Sequence, residues 1–406
     1  MTFAIDKAYI TQTLIDLVRI NSVNPSLSPN GNGEAEIGAY VADALNKLGL
    51  DVTTYELAPN RVNVVGVLRG KGNRQGANSL PPQGGEGRSL LLNAHMDTVG
   101  VDGMTIDPFG AEIENGRLYG RGSQDMKGSL AAMLGVAKAF VDSGLQLAGD
   151  LWITAVADEE YASIGMEHLV KTITAHGESV DAAIVTEPTD LTLCCAHRGF
   201  IWYDVETIGR AAHGSRYAEG IDANMRMGRF LARLDKLEQE LRQRPPHPLA
   251  GVPSLHASLL QGGTEISMYA ASSRLTLEWR TIPGETEAQA TAELQTIIDQ
   301  LAAEDPTFKA TVTPIFQREP FAISEQTSIV KAVEQATINL LGSKPVHTGQ
   351  TFWTDAALLA EAGIETVLLG PTGQGLHSAE EWVDVQSVLD LAGILVDTAV
   401  IYCQAH

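Results

Sequence analysis

Residues 90–134 read LLLNAHMDTVGVDGMTIDPFGAEIENGRLYGRGSQDMKGSLAAML. The run Leu90 to Ala94 has the length and apolar composition of a buried parallel strand. His95 and Asp97 stand where that strand runs out. A loop rich in Gly and Asp then leads to Asp125, just ahead of a helix marked by the apolar period Leu130, Met133, Leu134, Ala137. One strand–loop–helix unit thus brings a histidine and two carboxylates to one end of a sheet. Open α/β sheets build their sites there, in the crevice beyond the carboxyl ends of the strands.

The pattern continues on both sides. Upstream, the spacing predicts helices over residues 6–20 and 35–48, the first capped by Asp6 and the second stopped by Gly49. Strands follow at Asp51 to Leu57 and Asn63 to Leu68. Gly70 to Arg88 is polar and Gly/Pro-rich and reads as a surface insertion. Downstream, Asp150 to Ala157 is a strand running into Glu159 and Glu160, Ser163 to Ala175 a helix, and Asp181 to Thr186 a strand ending in Glu187. Strand and helix alternate, which implies an α/β fold with a mostly parallel mixed sheet covered by helices on both faces.

Near residue 197 the order becomes β-α-β-β-α-β, that of a split βαβ, ferredoxin-like α+β unit. It reads as a domain at 197–318 inserted into a first domain made of 1–196 and 319–406. The tail resumes with helices at Ser328 to Leu341 and Asp355 to Glu361. A strand at Thr366 to Gly370 is followed by PTGQGLHS, which carries His377, and a final helix starts near Val385.

Composition narrows the function. With 50 acidic and 28 basic residues among 406, the chain has a formal charge of −22, which repels nucleic acid and anionic membranes. No run approaches ~18 apolar residues, so no transmembrane helix is predicted. The N-terminus lacks the basic-then-apolar pattern of a signal peptide. Three cysteines, two of them adjacent, form neither a disulfide framework nor a CxxC metal site. These features point to the cytoplasm.

Four predicted strands therefore deliver His95 and Asp97, Glu159 and Glu160, Glu187, and His377 to one edge, with Asp125 in the same layer. Singly, each has an ordinary reading as a cap, a surface carboxylate or a satisfied histidine; Asp125 in particular could cap its helix. Together they demand a cation, because clustered carboxylates stay ionised only beside compensating charge. Mixed N/O donors suit zinc, cobalt or manganese better than calcium or magnesium. With one bridging carboxylate, five such ligands can hold two metals ~3.5–4 Å apart, as in hydrolytic sites.

The segments HMDTV, GRLYGRGSQDMKG, DEE, TEP and GLHSAEEWV resemble the two-metal family of acetylornithine deacetylase, succinyl-diaminopimelate desuccinylase, aminoacylase and glutamate carboxypeptidase. The resemblance covers nearly the whole chain. It implies a metal-binding catalytic domain with a smaller lid domain that mediates homodimerisation. It further implies His95, Asp125 and Glu187 on one metal, with Asp125 bridging to a second held by Glu160 and His377. Asp97 would orient His95, and Glu159 would be the general base acting on a metal-bridged water. His213, in GRAAHGSRYAEG, resembles a histidine that reaches the partner subunit's site to stabilise the oxyanion. Arg280, in LEWRTIPGE, resembles an arginine that binds the substrate carboxylate, and Gly373 and Gly375 could add backbone N–H donors. One departure stands out: GGTEISMYA has Ser267 where the family often has a substrate-binding asparagine.

The expected activity is metal-dependent cleavage of the amide bond of an N-acyl amino acid. An exo-acting dipeptidase or carboxypeptidase is the nearest alternative, and a non-catalytic binding protein the remote one. Glu159 weighs against the last, since a carboxylate beside the metals but not ligating them is placed to move protons.

Overall fold

The structure is a computed structural model describing residues 4–71, 87–175 and 180–404. Most of the polar insertion read at Gly70 to Arg88 lies outside the described residues. Two compact units divide the chain. One comprises Met1–Cys195, Ile323–Thr348 and Thr354–His406, and the other Ala196–Ala322 and Gly349–Trp353. Residues 349–353, read from sequence as part of the first domain, join the second unit for a local reason. The Gln350 carbonyl accepts the Arg198 N–H at 3.2 Å, and Gly349 lies so close to the Leu249 backbone that a Cβ would overlap it.

The chain opens with α1 (Lys7–Arg19), α2 (Ala35–Lys47), β1 (Asp51–Ala58) and β2 (Arg61–Leu68). Next come β3 (Leu90–His95), β4 (Glu112–Glu114), β5 (Arg117–Tyr119), α3 (Gly128–Ser143), β6 (Leu151–Val156), α4 (Ile164–Ala175), β7 (Ala182–Val185) and β8 (Leu193–His197). The inserted part is β9 (Gly199–Ile208), α5 (Ala223–Leu241), β10 (Ser254–Gly262), β11 (Ser272–Thr281), α6 (Glu287–Glu304) and β12 (Lys309–Arg318). After β13 (Phe321–Ala322) the chain continues through α7 (Ser328–Leu341), β14 (His347–Gln350), α8 (Ala356–Glu361), β15 (Glu365–Leu368), β16 (Gly373–Gln374), β17 (Trp382–Asp384) and α9 (Val385–Cys403).

In the first unit the main sheet runs β1-β2-β6-β3-β7-β15-β8. Its parallel part is the centre, β6, β3, β7 and β15, and the flanking strands pair antiparallel. Strands β3, β6 and β7 are buried along their whole length, as expected of strands covered on both faces. Helices cover the sheet in two groups, α1, α3, α7 and α9 packed on one another and α4 on α8. Helix α1 shows why: Asp6 caps it by accepting the Tyr9 N–H, and Ile10, Leu14, Leu17 and Val18 form one buried face. Helix α9 is long and apolar enough to cross a bilayer by length and composition, but 61% of its most apolar window is buried inside the protein. Strands β8, β13 and β14 and the small sheet β16-β17-β5-β4 escape the sequence reading, being too short to show a period.

The second unit is a four-stranded antiparallel sheet, β10-β11-β9-β12, with α5 and α6 packed against it. Residues Ile201, Tyr203 and Val205 of β9 alternate inward onto Phe230, Leu234 and Leu294 of the helices, following the period of two of a one-sided sheet. This is the predicted split βαβ arrangement.

Candidate metal centre

Because β3, β6, β7 and β15 are parallel, their carboxyl ends share one edge. His95 is the last residue of β3, Glu159 and Glu160 follow β6, and Glu187 follows β7. His377 comes later than the sequence reading had it, nine residues beyond the end of β15, in a loop where its φ is +57°. Asp125 does not cap a helix. It sits in the irregular turn Ser123–Lys127 with φ −119° and ψ 93°, and α3 starts only at Gly128. The extended backbone of Asp125 turns its carboxylate toward the histidines.

Five of the predicted residues form two clusters that share one member: His95, Asp125 and Glu187, and Asp125, Glu160 and His377. Nε2 of His95 is 3.0 Å from Oδ1 of Asp125 and 3.9 Å from Oε1 of Glu187. On the other side, Nε2 of His377 is 3.0 Å from Oε2 of Glu160 and 3.5 Å from Oδ2 of Asp125. Each oxygen of Asp125 thus serves a different cluster.

The first cluster contains a conflict that a cation resolves. Nδ1 of His95 lies 2.9 Å from the Asp97 carbonyl, which only accepts, so Nδ1 carries the proton. Nε2 then presents its lone pair to the Asp125 carboxylate, and two acceptors face each other at 3.0 Å. Either a second proton or a metal must lie between them. Protonation is favoured in the absence of metal. Burial works against the charge on His95, but Asp125 and Glu187 outweigh it and raise its pKa well above the usual imidazole range. His377, bonded to Asp125 and Glu160, is pushed up to about 10. Burial would raise Asp125, yet its bonds to His377 and His95 hold it well below the usual carboxylate range. The remaining carboxylates move the other way. Glu187 and Glu159 are pushed well above their usual values, first by burial and then by Asp125 and Glu187 respectively. Glu160 is raised by burial and Asp125. Oε1 of Glu187 is buried with no hydrogen-bond donor. Protonated histidines among carboxylates starved of positive charge are a donor set that fits divalent cations, and its N/O chemistry suits zinc, cobalt or manganese.

Asp97 meets His95 at Nδ1, the ring nitrogen turned away from Asp125. Its carbonyl, not its carboxylate, makes the short contact to His95; the carboxylate is 3.7 Å from Nδ1. The carboxylate instead accepts the N–H groups of Glu159 at 3.1 Å and Glu160 at 3.2 Å, anchoring the loop that carries both. Behind it lies a buried network that sequence reasoning missed. Asn24 Nδ2 donates to Asp97 at 2.8 Å and to Asp158 at 3.0 Å, and Arg61 links Asp158 at 2.5 Å to Glu34 at 2.7 Å. Burial, then the nearby Asp97 charge, push Glu34 up to about 7 despite Arg61. Arg61 was legible in principle: β2 runs antiparallel to β6, so its first residue reaches the edge where β6 ends.

The remaining candidates fall as follows. His213, Arg280 and Ser267 belong to the second unit. His213 is exposed on a turn, with Nδ1 2.8 Å from the Ser215 hydroxyl. Arg280, near the end of β11, donates Nε to Glu278 at 2.6 Å and stacks 5.2 Å from the Phe200 ring centre. In the first unit, Gly373 pairs with Val383. Gly375 has a φ of +94° and a Cβ there would strike the Glu380 carbonyl, so the turn before His377 requires glycine.

A sheet whose parallel centre carries two His/carboxylate clusters on a shared aspartate, in a chain with a split βαβ unit inserted, defines a dinuclear metallohydrolase. The chain belongs to Peptidase family M20/M25/M40, whose family model matches residues 91–400, and it is a metal-dependent hydrolase of amide bonds. It is 28% identical over 401 residues to an acetylornithine deacetylase of Myxococcus xanthus, covering 96% of this chain and 97% of that one. It is 26% identical over 426 residues to the N-formyl-4-amino-5-aminomethyl-2-methylpyrimidine deformylase of Halalkalibacterium halodurans, covering 97% and 95%. Its fold matches the crystal structure of a dinuclear metal-binding M20 peptidase from Bacillus subtilis with a TM-score of 0.72 at 15% identity, covering 98% and 99%.

Proposed function

We propose that this protein is a deacylase that removes a short acyl group from the amine of an N-acyl amino acid. The observation that carries the reading is the shared carboxylate of Asp125, one oxygen turned to each cluster, with the half-buried Glu159 feeling the charges of Glu187 and His95 of one cluster and Glu160 of the other. His95, Asp125 and Glu187 would hold one divalent ion, and Asp125, Glu160 and His377 a second, with zinc the first choice and cobalt or manganese alternatives. Such ions supply Lewis-acid polarisation of the amide carbonyl and a lowered pKa for water.

The chain's own residues do the rest. Glu159, on a loop anchored through Asp97, takes the proton of the attacking water and returns it to the departing nitrogen. The Asp97 carbonyl keeps the proton on Nδ1 of His95, leaving Nε2 for the metal. His213 would donate to the developing oxyanion in the partner subunit's site. Arg280 would pair with a substrate carboxylate, and the backbone N–H groups of Gly373 and Gly375 would be further donors to substrate. Leu259 and Leu260, 69% and 59% exposed on the edge strand β10, support a homodimer through the second unit. Three buried cysteines that form no disulfide among the described residues support residence in the reducing cytoplasm.

The named relatives favour deacylation over cleavage of a dipeptide, because both release a short acyl group from nitrogen. The test is hydrolysis of N-acetyl, N-formyl and N-succinyl amino acids against a dipeptide panel, with zinc, cobalt or manganese added. Turnover concentrated on N-acyl amino acids supports the proposal. Turnover confined to dipeptides replaces it with the exopeptidase reading.

A further inference from the structure

Asp125 and His377 sit on two irregular segments more than 250 residues apart in sequence, and neither belongs to a regular helix or to a strand of the main sheet. The second cluster depends on both. Its histidine side chain is 52% exposed, so packing around the ring does little to hold it. Something else must fix these two segments on each other.

Glu381 and Arg121 meet that need. Glu381 is buried, 1% exposed, and its carboxylate receives four donors. Oε1 accepts the backbone N–H groups of Gln124 at 3.0 Å and Asp125 at 3.2 Å. Oε2 accepts the N–H of Gly122 at 3.0 Å and Nη1 of Arg121 at 2.6 Å. One carboxylate thus gathers the backbone of the whole turn that presents Asp125. Arg121 works in the other direction: Nη2 donates to the Ser378 carbonyl at 3.0 Å, one residue past His377, and Nε to the Gly100 carbonyl at 3.1 Å. The Gly120 N–H closes the ring by donating to the Glu381 carbonyl at 3.0 Å. Among the described residues the other hydrogen bonds of both side chains go to backbone groups, so the pair acts chiefly on loop geometry. Charge-assisted bonds of this kind are short and strong, and these are shielded from water.

We propose that Glu381 and Arg121 are positioning residues that hold Asp125 and His377 in mutual register, and so make the second metal site as tight as the first. The proposal rests on the reading of the clusters as a dinuclear metal centre. Asp125 serves both clusters, so loss of the pair loosens both sites, but the second more than the first, because His377 is released along with Asp125 while His95 and Glu187 stay at the ends of regular strands. Outer partners of metal ligands typically contribute ~10–100-fold to affinity.

The experiment is zinc and cobalt titration of metal-stripped protein, by equilibrium dialysis with elemental analysis, on wild type, Glu381→Gln and Arg121→Lys. Thermal unfolding of each metal-free protein is measured in parallel. Gln cannot accept from backbone donors through both of its terminal atoms, and Lys keeps the charge but cannot span the Glu381 and Ser378 oxygens together. Wild type is expected to bind two ions. Both variants are expected to bind one ion ~10–100-fold more weakly than wild type and the other with a clearly smaller loss, with an altered cobalt absorption spectrum. Arg121→Lys guards against a Glu381→Gln protein that does not fold. Two ions at unchanged affinity in either folded variant overturn the proposal alone. Equal weakening of both ions also overturns it, because the pair would then only support the fold. A wild type that binds no ion overturns the dinuclear reading and this proposal with it.

Discussion

Arg233 and Glu304 of the second unit pair at 2.6 Å with side chains 36% and 55% exposed, whereas Arg61 of the first unit pairs with Glu34 and Asp158 at 6%, 0% and 2% exposure. The second unit keeps charge at its surface and fills its interior with apolar side chains such as Tyr203, Phe230 and Trp279. The first unit buries an arginine, an asparagine and three carboxylates behind its candidate centre. Removing charges from water is costly, and a buried pair is weak grounds for stability by itself. The first unit tolerates the cost where loops must hold catalytic groups in place. The difference separates a unit whose interior is apolar packing from one whose interior also carries the shell of a candidate metal centre.

The largest expected effect lies at the centre of the chemical unit. Glu159→Gln should retain both ions yet lose ~10²–10⁴-fold in kcat, the range for removal of a general base. Loss of metal in that variant would mean Glu159 is a ligand instead. Next, Arg61→Ala strands Glu34 and Asp158 without their cation and should cost about 3–5 kcal/mol of stability, read by denaturant titration. The second unit carries a smaller effect that depends on pH. His197 is wholly buried, and burial holds its pKa down to about 4 against 6.5 when exposed. The unfolded chain therefore binds a proton that the folded one refuses between those values. The stabilisation is fully present above pH 6.5 and is lost as pH falls toward 4. At ~1.36 kcal/mol per pH unit the loss is roughly 3 kcal/mol. Hydrogen exchange in β9, α5 and α6 should speed up accordingly, and His197→Gln should flatten that dependence. Smallest of all, Arg233→Ala should change stability by less than about 1 kcal/mol. A cost there equal to that of Arg61→Ala would erase the contrast between the units.

What could be read in the sequence follows the same division. Strand ends announce themselves, because an apolar run that stops at His95, Glu159 or Glu187 leaves its polar residue at the sheet edge. The inserted unit was legible from its element order. The supporting shell was not. Asn24 lies in a Pro/Ser/Asn loop with no period to place it, and a Glu381 beside Glu380 looks like any exposed acidic pair. Arg61 opens a strand, whereas the reading looked for function where strands close. Asp125 was found, but as a residue before a helix; only its extended backbone shows why both of its oxygens are available. Asp97 was assigned to His95, and its bonds to the backbone of Glu159 and Glu160 join residues 62 and 63 positions apart, a link no local pattern encodes.

The proposed role of Asp125 is to join two cation sites. It is tested most directly by counting zinc ions per chain in wild type, His95→Ala, His377→Ala and Asp125→Ala, reconstituted identically and analysed by mass spectrometry for metal. Two ions are expected in wild type, one in each histidine variant, and severe loss of both in Asp125→Ala. An Asp125→Ala protein that is folded and still holds two ions would contradict it.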